Sequence, residues 1–359
     1  MPRIHSLFHK STGFSTASRI CAHMQLLLQL RLRLRLRLQL QLDRDDEQKN
    51  DKVSDDRKRC TMQETTSAMI ALVGRPNVGK STLLNALVGE RVAIVTPKPQ
   101  TTRNRITGVV TRGQAQYIFL DTPGLHRART RLGEYMDNVS RASVADVDAA
   151  VLVVEPIPSP GDPERELMKR MEQLGVPSLL VINKVDRVER KEELLAVIAA
   201  YEQIHHFDQI AMVSAKEGDG VEALFDLLAP YQQPSPWFFP EDAFTDQPER
   251  ALVGELLRQK LLTCLDKEIP HGTAVSIERF HERDNGVIDI EAIIYCEKDS
   301  HKGIIIGKKG AMLKKISSLA RSDMEAFLDA KVYLQTWVKV KENWRDNPGL
   351  IRSFGFQED

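Results

Sequence analysis

A phosphate-binding loop is the first chemical feature of the chain. Residues Gly74–Ser81 read Gly-Arg-Pro-Asn-Val-Gly-Lys-Ser, between the apolar run Met69–Val73 and a helical stretch. A G-x-x-x-x-G-K-[ST] match in this strand–loop–helix context predicts a nucleotide site, because backbone N–H groups at the helix start bind phosphate. Lys80 would bind the β- and γ-phosphates, and Ser81 would ligate Mg²⁺. The predicted nucleotide contacts are Gly74, Arg75, Pro76, Asn77, Val78, Gly79, Lys80, Ser81 and Thr82.

A second motif would complete the metal and phosphate end of this site. Asp121-Thr122-Pro123-Gly124 follows the apolar run Tyr117–Leu120. In parallel sheets, ligands bind at the carboxyl ends of the strands. We therefore expect Asp121 to belong to the Mg²⁺ shell and the Gly124 N–H to contact the γ-phosphate, with Thr122 and Pro123 beside the nucleotide.

Two more motifs, which also follow apolar runs, predict the base of the nucleotide. Asn183-Lys184-Val185-Asp186 follows Ser178–Ile182, and Ser214-Ala215-Lys216 follows Ile210–Val213. The Asp186 carboxylate can accept hydrogen bonds from guanine N1–H and N2–H₂, a donor pair that adenine lacks. The Ala215 N–H would meet guanine O6. The predicted nucleotide is GTP or GDP, with contacts at Asn183, Lys184, Asp186, Ser214, Ala215 and Lys216.

These motifs need a scaffold of alternating strands and helices. Apolar runs recur at the spacing of βα units, which predicts an α/β domain with a doubly wound, mostly parallel sheet covered by helices on both faces. The predicted strands are 69–73, 117–120, 149–154, 178–182 and 210–213, and the predicted helices are 132–145, 163–174, 191–201 and 221–228. We assign residues 67–229 to this domain. Residues 230–249, which contain several prolines and aromatics, are predicted to form an ordered linker.

Residues 250–359 predict a smaller α+β domain of order α-β-β-α-α-β. Its predicted elements are helix 251–265, strands 273–280 and 287–295, helices 301–306 and 311–328, and strand 331–340. Gly307-Lys308-Lys309-Gly310 joins the two central helices, and a G-x-x-G at that place is typical of KH modules, which clamp about four nucleotides of single-stranded RNA. Six lysines lie between Lys298 and Lys315, although each of them alone could equally belong to a solvated surface. The predicted RNA contacts are Ile304, Ile306, Gly307, Lys308, Lys309, Gly310 and Lys314.

The composition separates the first residues from the rest of the chain. The 359 residues carry 50 basic and 50 acidic side chains, which argues against a globally basic nucleic-acid binder. Residues 1–68, however, hold 13 basic and 8 acidic side chains, and leucine alternates with arginine or glutamine from Gln29 to Leu42. This leader could be an unpaired strand, an import signal, or low-complexity sequence upstream of a start at Met62 or Met69. We favour the last interpretation and exclude residues 1–66 from the fold.

Cysteine usage and hydropathy narrow the class of protein further. The four cysteines are far apart and form no CxxC pair, which argues against a disulfide framework and fits a reducing compartment. No run of eighteen apolar residues occurs, so the sequence predicts no transmembrane helix.

From about Ser67 to its C-terminus the chain resembles the Era family of GTPases. The resemblance rests on the motifs described above and on the following segments: Pro99–Arg103, Leu125-His126 after Gly124, Leu132–Met136, Trp337–Lys341 and Trp344-Arg345. It implies a P-loop GTPase domain followed by a type II KH domain that binds the 3′ end of 16S rRNA and assists assembly of the 30S subunit. It also implies a cytoplasmic monomer with peripheral association to the inner membrane.

The resemblance also bears on hydrolysis. Ras-like enzymes place a water-orienting glutamine where this chain has Leu125, so we expect a slow intrinsic rate. Related GTPases with asparagine at the Asn77 position bind K⁺ beside the phosphates, which implies hydrolysis stimulated by K⁺. Either Thr101 or Thr102, in a candidate switch I at residues 99–103, would ligate Mg²⁺, and the family pattern favours Thr102. Arg103 would contact phosphate or be exposed. The predicted catalytic residues are Lys80, Asn77, Thr102 and Gly124, and the predicted metal ligands are Ser81, Thr102 and Asp121.

The two domains together predict a switch in which GTP exposes the RNA-binding surface and hydrolysis resets it. Two alternatives stay open. The chain could be a membrane-associated signalling or cell-cycle GTPase whose second domain binds protein, or an organellar homologue whose leader directs import. Replacement of Lys308 and Lys309 by aspartate separates the first alternative from the RNA-binding interpretation. If the second domain is a KH module, this change should abolish RNA binding and leave GTP binding intact.

Overall fold

The computed structural model describes residues 65–125, 128 and 130–356. The alternating segment 29–42 and His126 therefore lie outside the described residues. The first strand begins at Thr66, inside the predicted leader, and the Thr65 hydroxyl donates a hydrogen bond to the Ser235 carbonyl. Thr66, the last residue of the predicted leader, thus belongs to the first strand.

The first domain has a seven-stranded sheet with helices on both faces, and this confirms the predicted fold class. The strands are β1 Thr66–Val73, β2 Ile106–Arg112, β3 Ala115–Asp121, β4 Ala149–Val154, β5 Ser178–Ile182, β6 Gln209–Met212 and β7 Gln233–Pro234. Their order is β2-β3-β1-β4-β5-β6; β2 is antiparallel to β3, β7 is antiparallel to β1, and the other pairs are parallel. The helices are α1 Lys80–Val88, α2 Arg131–Ala142, α3 Asp162–Leu174, α4 Glu193–Glu202 and α5 Ala223–Leu228.

Strand β4 shows why these apolar runs become central strands. All six of its residues are buried. Val151 and Val153 pack with α1 and α5 in one core, and Leu152 and Val154 pack with α3 and α4 in the other. A strand that alternates between two cores needs apolar side chains at every position, which is the pattern from which a parallel sheet was predicted.

Strand β2 was missed in the sequence analysis. Its sequence, Ile-Thr-Gly-Val-Val-Thr-Arg, contains Gly108, and a glycine inside a strand weakens the strand signal. The structure explains the glycine, since a Cβ there would lie 2.6 Å from Leu84 Cδ1 and 2.7 Å from Val88 Cγ2 of helix α1. Gly108 therefore lets α1 approach the sheet closely, which brings the start of α1 beside the carboxyl end of β1.

The predicted linker is held against the first domain. Gln116 accepts hydrogen bonds from the Phe238 and Phe239 N–H groups, at 2.9 and 3.0 Å, and its amide donates to the Phe239 carbonyl. Further along, the Val109 N–H donates to the Phe244 carbonyl. The start of the linker also forms β7, so the linker extends the first sheet and then follows β2, the strand that leaves switch I.

The second domain has the predicted α-β-β-α-α-β order. Its elements are α6 Glu249–Cys264, β8 Ala274–Glu282, β9 Ile288–Cys296, α7 Asp299–Ile306, α8 Ala311–Leu328 and β10 Val332–Val340, followed by a short helix α9 Pro348–Ser353. The sheet order is β10-β9-β8, with β10 parallel and β8 antiparallel to β9. Its core joins α6 and α8 to the sheet through Leu257, Leu261, Ile290, Ile316 and Met324. Among the described residues, no helix combines the length and apolarity needed to cross a membrane.

An aromatic cluster joins the C-terminal segment to the first domain. Trp344 is fully buried and its indole N–H donates to the Gly272 carbonyl at 2.9 Å. Leu132 and Met136 of α2 belong to the same cluster, as do Ile351 and Phe356. Trp344 thus packs in a core, whereas Trp337 on edge strand β10 is 42% exposed.

Candidate functional site

The phosphate-binding loop wraps around the Lys80 side chain. The Lys80 ammonium donates to the Gly74 and Arg75 carbonyls at 3.1 and 3.0 Å. Burial lowers the pKa of Lys80 to about 8, and the Asp121 carboxylate opposes this shift. Gly79 has a φ of 103°, and a Cβ there would lie 2.2 Å from Asn183 Nδ2. Only glycine fits this position, which brings the phosphate end and the base end of the site together.

A cluster of oxygens lies beside Lys80 and fits a magnesium ion. The Ser81 hydroxyl donates to Asp121 Oδ2 at 2.6 Å, and the Thr102 hydroxyl lies 2.9 Å from Ser81 Oγ and 3.2 Å from the same carboxylate oxygen. Asp121 Oδ1 is buried and has no hydrogen-bond partner among the described residues. Burial raises the pKa of Asp121. Hydroxyl and carboxylate oxygens are the ligands that Mg²⁺ prefers, and a cation would stabilise the buried carboxylate.

The two candidate threonines differ in their contacts. Thr102 lies against Ser81 and Asp121, whereas the Thr101 hydroxyl donates to the Lys98 carbonyl at 2.7 Å and contacts Thr96. The geometry therefore places Thr102 at the oxygen cluster and Thr101 inside its own loop.

The base end of the site combines buried and exposed groups. Asn183 is buried, donates to the Val78 carbonyl at 2.8 Å and accepts from the Ala215 N–H at 3.0 Å. That last bond occupies the N–H that the sequence argument assigned to guanine O6. Asp186 is exposed, and the hydrogen bond from the Ser214 hydroxyl lowers its pKa, so its carboxylate stays ionised and open to a base.

One cavity of about 530 Å³ brings most of the predicted nucleotide contacts together. It is lined by residues of the phosphate loop, the Ile94–Thr102 segment and both base motifs. The predicted residues that line it are Pro76, Asn77, Gly79, Lys80, Ser81, Thr82, Thr102, Gly124, Asn183, Lys184, Asp186, Ala215 and Lys216. Gly124 lies directly against Pro76. This volume is within the ordinary range of small-molecule sites.

Several predicted contacts lie behind the cavity and support it. The Thr122 hydroxyl donates to the Leu72 carbonyl, and the Pro123 carbonyl accepts from the Ser140 hydroxyl. The Arg75 guanidinium donates to buried Glu164 at 2.7 Å, so this side chain anchors the loop to helix α3. Glu164 was not predicted, because its role depends on packing between α3 and the loop and on no local motif.

Switch I contacts the second domain directly. Arg103 is 4% exposed and donates to the Thr273 and His271 carbonyls at 2.7 and 2.8 Å. It neither faces solvent nor lines the nucleotide cavity, so both sequence interpretations of Arg103 were wrong. From helix α6, Arg258 donates to the Thr101 carbonyl and Gln259 donates to the Val95 carbonyl.

Arg258 and Gln259 were also missed in the sequence analysis. Both residues occur in a helix whose charged side chains read as solvated from sequence alone. The one local signal is Glu255, three residues before Arg258, which pairs with its guanidinium. The structure shows that this pair is turned toward switch I, because Arg258 is only 3% exposed.

The loop Gly307–Gly310 joins α7 and α8, as predicted. Both glycines have positive φ, 74° and 78°, and Lys308 and Lys309 are exposed between them. Ile304 is 50% exposed beside the loop, while Ile305 is buried in the domain core. Of the predicted RNA contacts beside the loop, Ile304 and Lys314 are exposed, and Leu319 adds an exposed apolar side chain further along α8.

Family profiles match both domains. The profile described as 50S ribosome-binding GTPase matches residues 69–184, and the profile described as KH domain matches residues 268–345. GTPase Era of Ruminiclostridium cellulolyticum is 45% identical over 291 residues, which cover 81% of this chain and 97% of the relative. GTPase Era of Clostridium kluyveri is 46% identical over 291 residues, 81% of this chain and 99% of the relative.

The chain belongs to the Era family of GTPases.

Solved Era structures extend the match to three dimensions. Era in complex with MgGDPNP and nucleotides 1506–1542 of 16S ribosomal RNA is 34% identical, with a TM-score of 0.79 over 82% of this chain and 100% of that chain. An Aquifex aeolicus Era variant bound to GDP·AlF₄⁻ matches with the same identity, coverage and TM-score. The similarity therefore covers the whole of each solved Era chain, and the two family profiles show that it includes both the GTPase domain and the KH domain. Like its relatives, this Era-family chain is a GTPase.

Proposed function

We propose that this Era-family GTPase is a switch that binds the 3′ end of 16S rRNA through its KH domain and assists assembly of the 30S subunit. The hydrogen bonds that join switch I to the second domain, from Arg258 to Thr101 and from Arg103 to Thr273 and His271, carry the proposal, because switch segments change conformation with the nucleotide state. A solved Era holds MgGDPNP and nucleotides 1506–1542 of 16S rRNA at once. This pairing of ligands in a relative supports the same pairing here.

The GTPase domain would bind GTP in the 530 Å³ cavity. Lys80 would exchange its loop carbonyls for phosphate oxygens, and Asp186 would accept hydrogen bonds from the guanine. Ser81, Thr102 and Asp121 would hold Mg²⁺, which supplies positive charge beside the β- and γ-phosphates. Thr102 would connect nucleotide state to switch I, since it follows Thr101, whose carbonyl accepts from Arg258.

Hydrolysis by this site would be slow without a further positive charge. The Leu125 side chain is buried and carries no hydrogen-bonding group, so it cannot orient water. The Leu125 N–H donates to the Gly74 carbonyl at 3.2 Å. The Asn77 amide donates to the Pro97 carbonyl at 2.9 Å, which links the phosphate loop to the segment before switch I. Carbonyl oxygens, such as those of Pro97 and of the Asn77 side chain, coordinate K⁺ in proteins. We therefore propose that K⁺ binds at Asn77 and stimulates hydrolysis.

The KH domain would clamp RNA at Gly307–Gly310. The exposed Lys308, Lys309 and Lys314 supply positive charge at the start of helix α8, whose N-terminus also favours phosphate. Ile304 and Leu319, which are 50% and 42% exposed, offer apolar contact to bases. This combination is the one that KH modules use for single-stranded RNA.

One experiment tests the switch and its cation together. GTP hydrolysis is measured in K⁺ and in Na⁺, with and without an RNA of the 16S 3′ end, for the wild type and for K308D/K309D. We expect faster hydrolysis in K⁺, further stimulation by RNA, and loss of the RNA effect alone in the double variant. K191D/K331D is a matched control for the change in charge, because both lysines are exposed and lie outside the nucleotide cavity and the G-x-x-G loop.

The outcomes separate the parts of the proposal. Equal rates in K⁺ and Na⁺ would exclude the cation role of Asn77 and leave RNA coupling untouched. RNA binding that survives in K308D/K309D would exclude the predicted KH surface. The switch would be contradicted by two results together. RNA would leave the hydrolysis rate unchanged, and the protein would bind RNA with the same affinity in its GDP and GTP-analogue states.

The signalling alternative is less well supported, because a KH profile matches the second domain and its loop presents lysines to solvent. A cytoplasmic location, a monomeric state and peripheral association with the inner membrane remain predictions. Sedimentation velocity tests the monomer. Flotation with anionic vesicles tests the membrane association, and recovery of the protein only in the vesicle-free fraction would exclude it.

A further inference from the structure

We infer that a second anion-binding cavity, separate from the nucleotide cavity, lies between switch I and helix α6 and takes a phosphate group. Its volume is about 560 Å³. Its walls come from the residues that follow Thr102, from the start of α6, from strand β8 and from the C-terminal segment. The two domains therefore build it jointly, and it shares no lining residue with the nucleotide cavity.

The walls of this cavity are basic. Its charged lining residues are Arg103, Arg105, Arg250, Arg258 and Glu255. Arg103 and Arg258 are 4% and 3% exposed, so water screens their charges poorly. Burial and the nearby Arg258 lower the pKa of Arg103 to about 9, which leaves Arg103 charged at neutral pH. An anion between them would offset their repulsion.

Arg258 also presents an unused donor. Its Nε and Nη2 donate to Glu255, and Nη2 reaches the Thr101 carbonyl as well. Its Nη1 is buried and has no hydrogen-bond partner among the described residues. A buried donor without an acceptor is unfavourable, and an oxyanion in the cavity would supply that acceptor.

The arginine donors favour phosphate as the ligand. The planar guanidinium donates in pairs to phosphate oxygens, and Arg105 and Arg250 are exposed at the cavity, where an approaching anion would meet them. The group could come from a free phosphorylated compound or from a phosphodiester of bound RNA. Because Arg258 also holds the Thr101 carbonyl, occupancy would stabilise switch I next to Thr102.

The test uses the full chain with its nucleotide cavity saturated by MgGDP. Pyrophosphate is titrated in the first arm, and binding is followed by calorimetry for wild type, R258Q, R250Q and the control R190Q, which removes an arginine that does not line the cavity. We expect a saturable binding event that weakens about tenfold or more in R258Q and by less in R250Q, because a lost hydrogen bond to a charged group is worth about one to two decades in affinity.

A second arm identifies the source of the phosphate and rests on the proposed RNA binding. The salt dependence of RNA affinity is compared between wild type and R258Q. A slope of log affinity against log salt that falls by about one identifies an RNA phosphodiester as the ligand. An unchanged slope, with pyrophosphate binding retained in the wild type, identifies a free phosphorylated compound.

The inference is overturned if pyrophosphate fails to bind and the salt slope is also unchanged in R258Q, or if R258Q and R190Q lose affinity equally. The variant R250Q guards against a folding defect, since Arg250 is exposed. Failure of RNA binding in every variant would contradict the proposed function and leave the pyrophosphate arm intact, so the two failures are distinguishable.

Discussion

Lys80 illustrates how a single residue is prepared for its ligand. Its ammonium is buried among loop carbonyls, and burial lowers its pKa to about 8. Phosphate oxygens would favour the charged form and raise that pKa again. Binding of nucleotide should therefore be accompanied by uptake of a proton wherever free Lys80 is partly neutral.

This linkage predicts a measurable proton count. With a pKa near 8 in the free protein, Lys80 is neutral in about a quarter of molecules at pH 7.5 and about three quarters at pH 8.5. We expect proton uptake on MgGDP binding to rise between these pH values by about half a proton. Calorimetry in two buffers of different ionisation enthalpy measures it. K191Q, which changes an exposed lysine outside the nucleotide cavity, should behave as the wild type, and uptake that is the same at both pH values would contradict the linkage.

At the residue scale, the sequence predicted which segments form the site better than it predicted the directions of individual side chains. Ser81 contacts Asp121, and Asn183 and Asp186 line the same cavity as Ser81, because the segments after neighbouring parallel strands meet at one edge of the sheet. The predictions for Arg103 were wrong, because its side chain points to the His271 and Thr273 carbonyls, which are about 170 residues away in the chain. No local pattern records such a partner.

At the scale of elements, switch I is supported from two sides. The nucleotide cavity lies on one side, through Thr102, and α6 with the segment before β8 lies on the other, through Thr101 and Arg103. Because switch I has partners in both domains, a change in its contacts at the nucleotide cavity would also change its contacts with the KH domain. Arg103 is the most buried of the connecting side chains in switch I.

Replacement of Arg103 should loosen switch I. R103A would leave the buried Thr273 carbonyl and the part-buried His271 carbonyl without their donor, and R103K would restore the charge but not the fork that reaches both of them. We expect hydrogen exchange of the amides in residues 99–103 to speed up about tenfold or more in R103A and by less in R103K. The control R190A removes an exposed arginine, and equal exchange in R103A and R190A would rule out this role for Arg103.

The elements themselves were predicted well where the hydrophobic pattern is clean. Strands β4 and β5 and helix α8 match their predicted bounds at Ala149–Val154, Ser178–Ile182 and Ala311–Leu328. Strand β2 was missed because Gly108 interrupts its pattern. The reason for that glycine is the tertiary contact with α1, which sequence periodicity does not record.

At the scale of the whole molecule, Trp344 joins the two domains. It packs with α2 of the GTPase domain and donates to the Gly272 carbonyl of the segment before β8. Helix α2 follows Asp121–Gly124 in the chain, so the cluster places the C-terminal segment against the helix that comes after the predicted γ-phosphate motif. Movement of helix α2 would therefore also move the C-terminal segment that packs against it, whether or not RNA is bound.

A matched pair of tryptophans tests this junction. W344A should lower the free energy of unfolding by about 3–5 kcal/mol, because it opens a cavity in a closed cluster and orphans a carbonyl. W337A, at a site that is 42% exposed on the edge strand, should cost about 1 kcal/mol or less. Denaturant unfolding measures both, and equal losses would show that the Trp344 cluster does not stabilise the molecule.

The Trp344 cluster also has a consequence for synthesis of the chain. Leu132 and Met136 lie about 210 residues before Trp344 and Ile351. A ribosome adds about 5–20 residues per second, so the apolar face of α2 waits some 10–40 seconds for the segment that covers it. During that time the phosphate loop, its cavity and the linker strand can already be assembled. The nascent protein can thus hold a nucleotide before it has the contacts that report the nucleotide's state.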